Sequence, residues 1–286
     1  MSKIRIQGLT FSLIAILLVS IYFFLPFNDS AFILPILTAL ILFLGVPHGA
    51  LDPAFAQKLF SLNSWKAWSI FVFIYLTLAI MVVLIWWWLP IAFMAAFLIF
   101  SVMHFSRDLS NTTPKVTRLL YGGSMIVLPT ILHLHEIQVL FSLILNEVTG
   151  MQIASTLHLL ALPWLVAILV CICLEFTNDW LVGLEILAVS LLATIAPPLV
   201  AFTIYFCGMH SLRHFLRTKA YTNFSFLKLS LISLAPMLGV TLLAILAWLY
   251  LPPSPNYIRL LQFLFVGLAA LTVPHMLLID RIRYQS

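Results

Sequence analysis

What most constrains this chain is the succession of apolar runs, each about long enough to cross a bilayer, that follow one another from near the first residue to near the last. A helix needs about 20 mostly apolar residues to span the hydrocarbon core. In lipid, only structures that satisfy their own backbone hydrogen bonds can do so. Charged residues make up 8% of the 286 residues and apolar ones 63%, whereas a soluble domain is about 25% charged. No stretch reads as a soluble block, a repeat or a linker. The expectation is an all-α, polytopic membrane helix bundle forming a single integral membrane domain over residues 1–286. The formal net charge of +5 does not point to nucleic acid. Its basic residues stand singly between apolar runs, as Lys and Arg flanking membrane spans do.

Reading between polar and Pro/Gly punctuation predicts ten spans, near 8–26, 32–56, 67–89, 90–106, 117–133, 155–175, 180–195, 198–216, 227–251 and 257–279. The fourth and seventh are short, and eight or nine full crossings remain if they do not cross. Charge placement checks this count. With the N-terminus cytoplasmic, Lys3, Arg5, Lys58, Lys66, Arg107, Lys115, Arg118, Arg217, Lys219, Lys228, Arg281 and Arg283 all fall on the inner side, as the positive-inside bias requires. The outer segments carry Asp29, Glu136 and Glu147, with Arg259 as the basic exception, and Trp86, Trp87 and Trp88 end a span at the outer interface. The inner turn at Thr177-Asn178-Asp179 lacks a basic residue. Both termini are thus expected in the cytoplasm of a multi-pass protein of the cell (inner) membrane. The first span follows Lys3 and Arg5 without a convincing cleavage site, and reads as uncleaved. Cys171, Cys173 and Cys207 lie in apolar runs and suggest small buried hydrophobes rather than a disulfide framework.

The eight histidines divide into two classes. His133, His135 and His158 lie on or beside an expected outer loop, as solvated or interfacial side chains. His48, His104, His210, His214 and His275 instead lie late in the even-numbered spans, all of which run from outside to inside. They should reach one depth in the inner half of the membrane. A single intramembrane histidine is more often packed and hydrogen-bonded than ligating, but five at one level are costly unless they serve a function. Imidazole is the commonest side-chain metal ligand. His210 and His214 are four apart, which places both on one helix face. His48 with Asp52, and His104 with Asp108, repeat that spacing, so each carboxylate is placed to orient a ring or balance charge. The bland alternative is an ordinary charge at a helix end, paired with a residue such as Arg107. Pro47, Gly49 and Pro274 beside two of the histidines are candidates to widen a helix and aim a ligand.

Imidazole ligands suit Zn, Cu, Fe or Ni, and spacing alone does not choose. Few acids lie within the spans, which argues against a cation pathway, and the aromatic interior favours an apolar substrate dissolved in the bilayer. A histidine-based metal transporter and a haem-binding electron-transfer protein are the alternatives. The paired boxes of a di-iron desaturase are absent.

Four strings carry a resemblance: Gly-Val-Pro-His48-Gly-Ala-Leu-Asp52, Met-His104-Phe, the segment from Ala196-Pro-Pro to Cys-Gly-Met-His210-Ser-Leu-Arg-His214-Phe, and Gly267-Leu-Ala-Ala-Leu-Thr-Val-Pro-His275-Met. In this order, over about residues 41–280, the chain resembles the Brp/Blh family of bacterial and archaeal membrane β-carotene 15,15′-dioxygenases. Ser106 stands where the second motif often has Gly. The resemblance implies non-haem Fe(II) held by His48, His104, His210 and His214, with His275 as a fifth ligand or a group behind the ligands. It implies β-carotene and O2 as substrates, retinal as product, membrane lipid as surroundings, and a retinal-accepting microbial rhodopsin as a partner. Beside these, Asp52, Asp108 and Tyr205 are the residues expected to support the ligands, Tyr205 also as a tunnel-lining residue.

Overall fold

In a computed structural model, the chain is described over residues 2–24, 33–250 and 255–283, apart from the side chains of His48, Ala247, Ile282 and Arg283. Asp29 and the side chains of His48 and Arg283, each singled out above, therefore lie outside the described set. Every regular element among the described residues is helical. The chain gathers into two compact units, one of Met1–Ile41 and Leu98–Arg213, the other of Leu42–Phe97 and His214–Ser286.

The first unit is built from α1 (Lys3–Phe24), α2 (Ile33–Leu40), the end of α5 (Pro90–Phe105), α6 (Lys115–Val127), α7 (Pro129–Ile144), α8 (Glu147–Asn178), α9 (Trp180–Ile195) and α10 (Pro198–Tyr205). After α10 the chain continues as a π-helical turn, Phe206–Ser211. Helix α9 is the centre: Ile186, Ala188, Val189, Leu192 and Ala193 are fully buried, with α1, α6, α7 and α8 packed around it. Side-chain caps define its ends and those of its neighbour. The Asn146 carboxamide accepts from Thr149 N at 3.0 Å to start α8, and the Asp179 carboxylate accepts from Leu181 N at 3.1 Å to start α9. Asp179 also takes both guanidinium arms of Arg5, at 2.6 and 3.0 Å. The Arg5 hydrogen bond holds the Asp179 carboxyl below its usual value. The turn at Thr177-Asn178-Asp179, which lacks a basic residue of its own, thus receives one from α1.

Small residues set the closest approaches. A Cβ on Gly122 would lie 2.3 Å from Val102 O, and one on Gly123 would lie 2.2 Å from the Trp164 ring. Glycine is what lets α6 seat against the end of α5 and against α8.

The second unit contains α3 (Asp52–Phe60), α4 (Trp65–Trp88), α11 (Leu212–Thr222, from His214 onward), α12 (Phe226–Tyr250) and α13 (Asn256–Arg283). Its core is small. Phe55, Ala56, Leu62 and Leu278 form one cluster, and Leu51, Ala54 and Leu229 form another. Helix α4, started by Ser64 Oγ accepting from Ala67 N at 3.2 Å, has no buried residue. So apolar a helix with so little protein against it suits lipid contact.

Among the described residues, six helical segments are long and apolar enough to cross a membrane: Lys3–Phe24, Ile33–Phe60, Trp65–Trp88, Glu147–Asn178, Phe226–Tyr250 and Asn256–Arg281. A seventh arises if α6 and α7, bent by 48° at Leu128–Pro129, count as one span. The bend follows from proline, which has no N–H to continue the ladder. Ten spans are more than length and composition support. The expected fourth and seventh are 16-residue helices, and the eighth is pieced from segments of 8, 6 and 11 residues. At Pro47 and Gly49 the helix tightens rather than widens, as a 3-10 turn, Val46–Leu51, and the widened π-helical turn, Ile41–Gly45, lies just before them. Pro274 leaves α13 unbroken.

Candidate functional site

The first unit buries a polar cluster around Asp108. Helix α5 ends at Phe105, and a turn closed by Arg107 N to His104 O at 3.2 Å and Asp108 N to Phe105 O at 3.0 Å brings Asp108 back into the interior, where it is 3% exposed. The Tyr205 hydroxyl donates to Asp108 Oδ2 at 2.7 Å. His210 Nδ1 lies 3.0 and 3.2 Å from the two carboxylate oxygens. Tyr205 and His210 are five apart, which on an ideal α-helix separates them by about 140°. The π-helical turn, with its i to i+5 bonding, adds the residue that brings both to one carboxylate.

Asp108 was expected to support His104, four residues before it. Instead it holds His210. The i, i+4 relation exists only on a continuous helix, and α5 stops between the two. Nor is Asp108 an exposed charge at a helix end, since it is buried with two specific donors.

A carboxylate on Nδ1 fixes the tautomer, so His210 donates from Nδ1 and presents its Nε2 lone pair. That Nε2 lies 2.8 Å from Nε2 of His104. Two nitrogens bound at right angles to one ion, with bonds of about 2.1 Å, lie about 3.0 Å apart. The facing pair is therefore close to the separation that two ligands of one metal require. Phe105 packs edge-on and Phe206 stacks against the His210 ring, walling the pair in aromatic carbon.

Beneath this cluster lies a second polar layer. The Arg213 side chain, 2% exposed, grips both Glu185 oxygens at 2.9 and 2.7 Å. It also donates to Asp108 O at 3.0 Å and Gln7 Oε1 at 2.9 Å. Removing either member of such a pair would strand a buried charge.

The second unit contains a parallel arrangement. Asp52, 1% exposed, accepts from Tyr75 OH at 2.8 Å and faces His275 Nδ1 at 2.6 Å. The rings of His275 and His214 lie 4.9 Å apart, and Phe55 meets His214 edge-on. Asp52 was expected to orient His48, whose side chain lies outside the described residues; the group it meets here is His275. The 3-10 turn ends and α3 begins at Asp52.

The structure thus groups His104, His210, Asp108 and Tyr205 in one unit, and Asp52, His275 and His214 in the other. The His48 side chain lies outside the described residues. Among those that are described, no three His, Cys, Asp or Glu side chains gather as a metal-holding group. The donor chemistry nevertheless fits a metal ion, since each unit offers a histidine tautomer fixed by an aspartate that also binds a tyrosine.

Of the three histidines expected on or beside an outer loop, two do more than face solvent. His133 sits at a kink of α7 with φ −122° and ψ 33°. It contacts Glu136 through Nδ1 at 2.8 Å and Ile195 O through Nε2 at 3.1 Å. His158 Nδ1 lies 2.8 Å from Thr130 O. Both contact main-chain oxygens at a kink or beside a helix end, where intrahelical partners run out. His135 is exposed.

Sequence reading missed Gln7, Tyr75, Glu185 and Arg213. The signal for Glu185 and Arg213 was present, because an acid and a base isolated in apolar segments each need a partner.

The comparisons with known proteins agree with the motifs. Residues 39–283 match the family described as Beta-carotene 15,15'-dioxygenase. A relative named Beta-carotene 15,15'-dioxygenase, from an uncultured marine bacterium, 66A03, is 34% identical over 255 residues, covering 85% of this chain and 91% of its own. No solved structure matches. With the family match extending over most of its length, the chain belongs to the β-carotene 15,15′-dioxygenase family.

Proposed function

We propose that this protein is a membrane non-haem iron(II) dioxygenase that cleaves the central 15,15′ double bond of β-carotene with O2 to give two molecules of retinal. Each carbon of the broken double bond takes one oxygen atom, so no further oxidant or reductant is needed. Family membership supports the reaction. The observation on the site that carries the metal reading is the His104–His210 pair, Nε2 to Nε2 at 2.8 Å, with Asp108 fixing the His210 tautomer. The proposed ligands are His48, His104, His210 and His214, carried over from the sequence motifs, with His275 as a fifth ligand or a support. Iron, when bound, supplies the activation of O2. The chain's own residues do the rest. Asp108 and Tyr205 hold one imidazole, Asp52 and Tyr75 hold another, and Phe105 and Phe206 keep water from the His104–His210 pair.

The proposed setting is a single integral membrane helix bundle with both termini cytoplasmic, in the cell (inner) membrane. An apolar polyene then reaches the site from the lipid, and retinal leaves to a rhodopsin-type acceptor. Expression in β-carotene-accumulating cells should bleach them and yield retinal. Cells that stay orange while holding folded, iron-loaded protein would refute the assignment. A Soret band in the purified protein would favour the haem alternative, and metal uptake into vesicles the transporter.

A further inference from the structure

Helix α1 lies wholly outside the matched region, which starts at residue 39, yet it reaches the backbone that carries His210. Gln7, 7% exposed on α1, donates from Nε2 to Gly208 O at 2.9 Å and Met209 O at 3.3 Å. Its Oε1 accepts from Arg213 Nε at 2.9 Å. The orientation of the amide is fixed chemically: guanidinium nitrogens only donate, so the oxygen faces Arg213 and the nitrogen is left for the two carbonyls. Gly208 and Met209 belong to the π-helical turn Phe206–Ser211. A single widened turn of this kind disturbs the regular bonding of the carbonyls around it, and buried carbonyls need partners. One glutamine side chain therefore meets the chain on both sides of His210, through two carbonyls of the turn before it and through Arg213 after it.

The neighbouring residue makes the contact close. A Cβ on Gly8 would lie 1.7 Å from Glu185 Oε1 and 2.7 Å from Arg213 Nη2. Glycine at position 8 lets α1 approach the buried Arg213–Glu185 pair while Gln7 enters the turn.

From this geometry we infer that Gln7 is a positioning residue for His210. By clasping the π-helical turn it sets the direction of the imidazole that Asp108 orients and that faces His104. The inference rests on the reading of His210 as an iron ligand. Gln7 touches neither substrate nor metal and acts through the main chain.

The test uses the full chain, purified in detergent and loaded with iron(II). Its readouts are iron affinity, the electron paramagnetic resonance of the ferrous–nitric oxide adduct, and kcat and KM for β-carotene. Gln7→Met keeps the side-chain length and removes the hydrogen bonds. It should weaken iron retention by about 10- to 100-fold, the range for groups that orient ligands. It should also alter the adduct spectrum and lower kcat with KM unchanged. Gln7→Glu keeps an acceptor for Arg213 but loses the donor to Gly208 and Met209, and should shift the spectrum in the same direction. If Gln7→Met does not fold, Gln7→Glu decides alone. Arg5→Gln loosens the same helix at its Asp179 contact and should leave the spectrum as in wild type. A wild-type spectrum and affinity in the Gln7 variants would overturn the inference, as would an Arg5→Gln change as large as that of Gln7→Met. Wild-type protein that takes up no iron would instead overturn the functional reading, and the two failures are distinguishable.

Discussion

Replacing Asp108 by asparagine separates the role of its charge from that of its volume. In the native site the carboxylate receives Tyr205 OH at 2.7 Å and His210 Nδ1 at 3.0 Å, so both oxygens act as acceptors. Asparagine keeps one acceptor and turns the other atom into a donor, which must then face a hydroxyl or an imidazole N–H. One charge-assisted hydrogen bond, about 1.5–3 kcal/mol, is lost in either orientation. If the His210 bond is lost, the tautomer is released and Nε2 carries a proton in part of the population. The expected result is a loss of iron affinity or turnover of about 10- to 100-fold, which corresponds to about 1.4–2.7 kcal/mol and matches the bond lost. The assay is iron content after dialysis against a graded chelator, with retinal formation followed on the same preparation. Asp108→Asn protein that retains iron and forms retinal at the wild-type level would refute the assignment of Asp108 as the group that orients His210.

Substituting His48, His104, His210 or His214 by alanine should abolish iron retention, while His135→Ala, at an exposed position, should leave it intact; metal analysis checks both. Gly122→Ala places a methyl 2.3 Å from Val102 O and 2.6 Å from Ser106 N. It should therefore push α6 from the segment carrying His104, destabilise by about 1–3 kcal/mol, and lower activity with it, as thermal unfolding and retinal yield will show. The Asp179 carboxyl is held below its ordinary value, chiefly by its hydrogen bond with Arg5. Its contribution to stability is present above the unfolded value of about 3.9 and is lost as pH falls through the lower folded value. Wild type should thus lose stability below about pH 4 more steeply than Asp179→Asn, as unfolding curves at several pH values will measure.

Some of this was legible in the sequence because it depends on residue type and local order alone. Most apolar runs bounded by Pro, Gly and single charges matched helices near their observed places, since apolarity and helix length are local properties, but most of α7 and the start of α8 fall between residues 133 and 155, where a loop was expected. Three of the five histidines expected in the interior, His104, His210 and His275, are buried, and burial of an ionisable group is costly enough to mark it. What failed is equally specific. The pairing of His104 with Asp108 assumed a continuous helix, and the chain breaks that frame, because Phe105 ends α5 before Asp108. No proline or glycine pair announced the π-helical turn at Phe206–Ser211, in which the carbonyls of Gly208 and Met209 accept from a glutamine about 200 residues earlier in the chain.

The sequence by itself determined an all-helical chain rich in candidate membrane spans, its family, and the histidines available for a metal. Those follow from composition, spacing and motif order. Only the tertiary structure decided which carboxylate orients which imidazole, that Tyr205 and Tyr75 complete the two arrangements, and that α1 reaches the turn of His210. A hydrogen bond between distant segments depends on where helices end and which faces meet, and neither is encoded in the spacing of one segment alone.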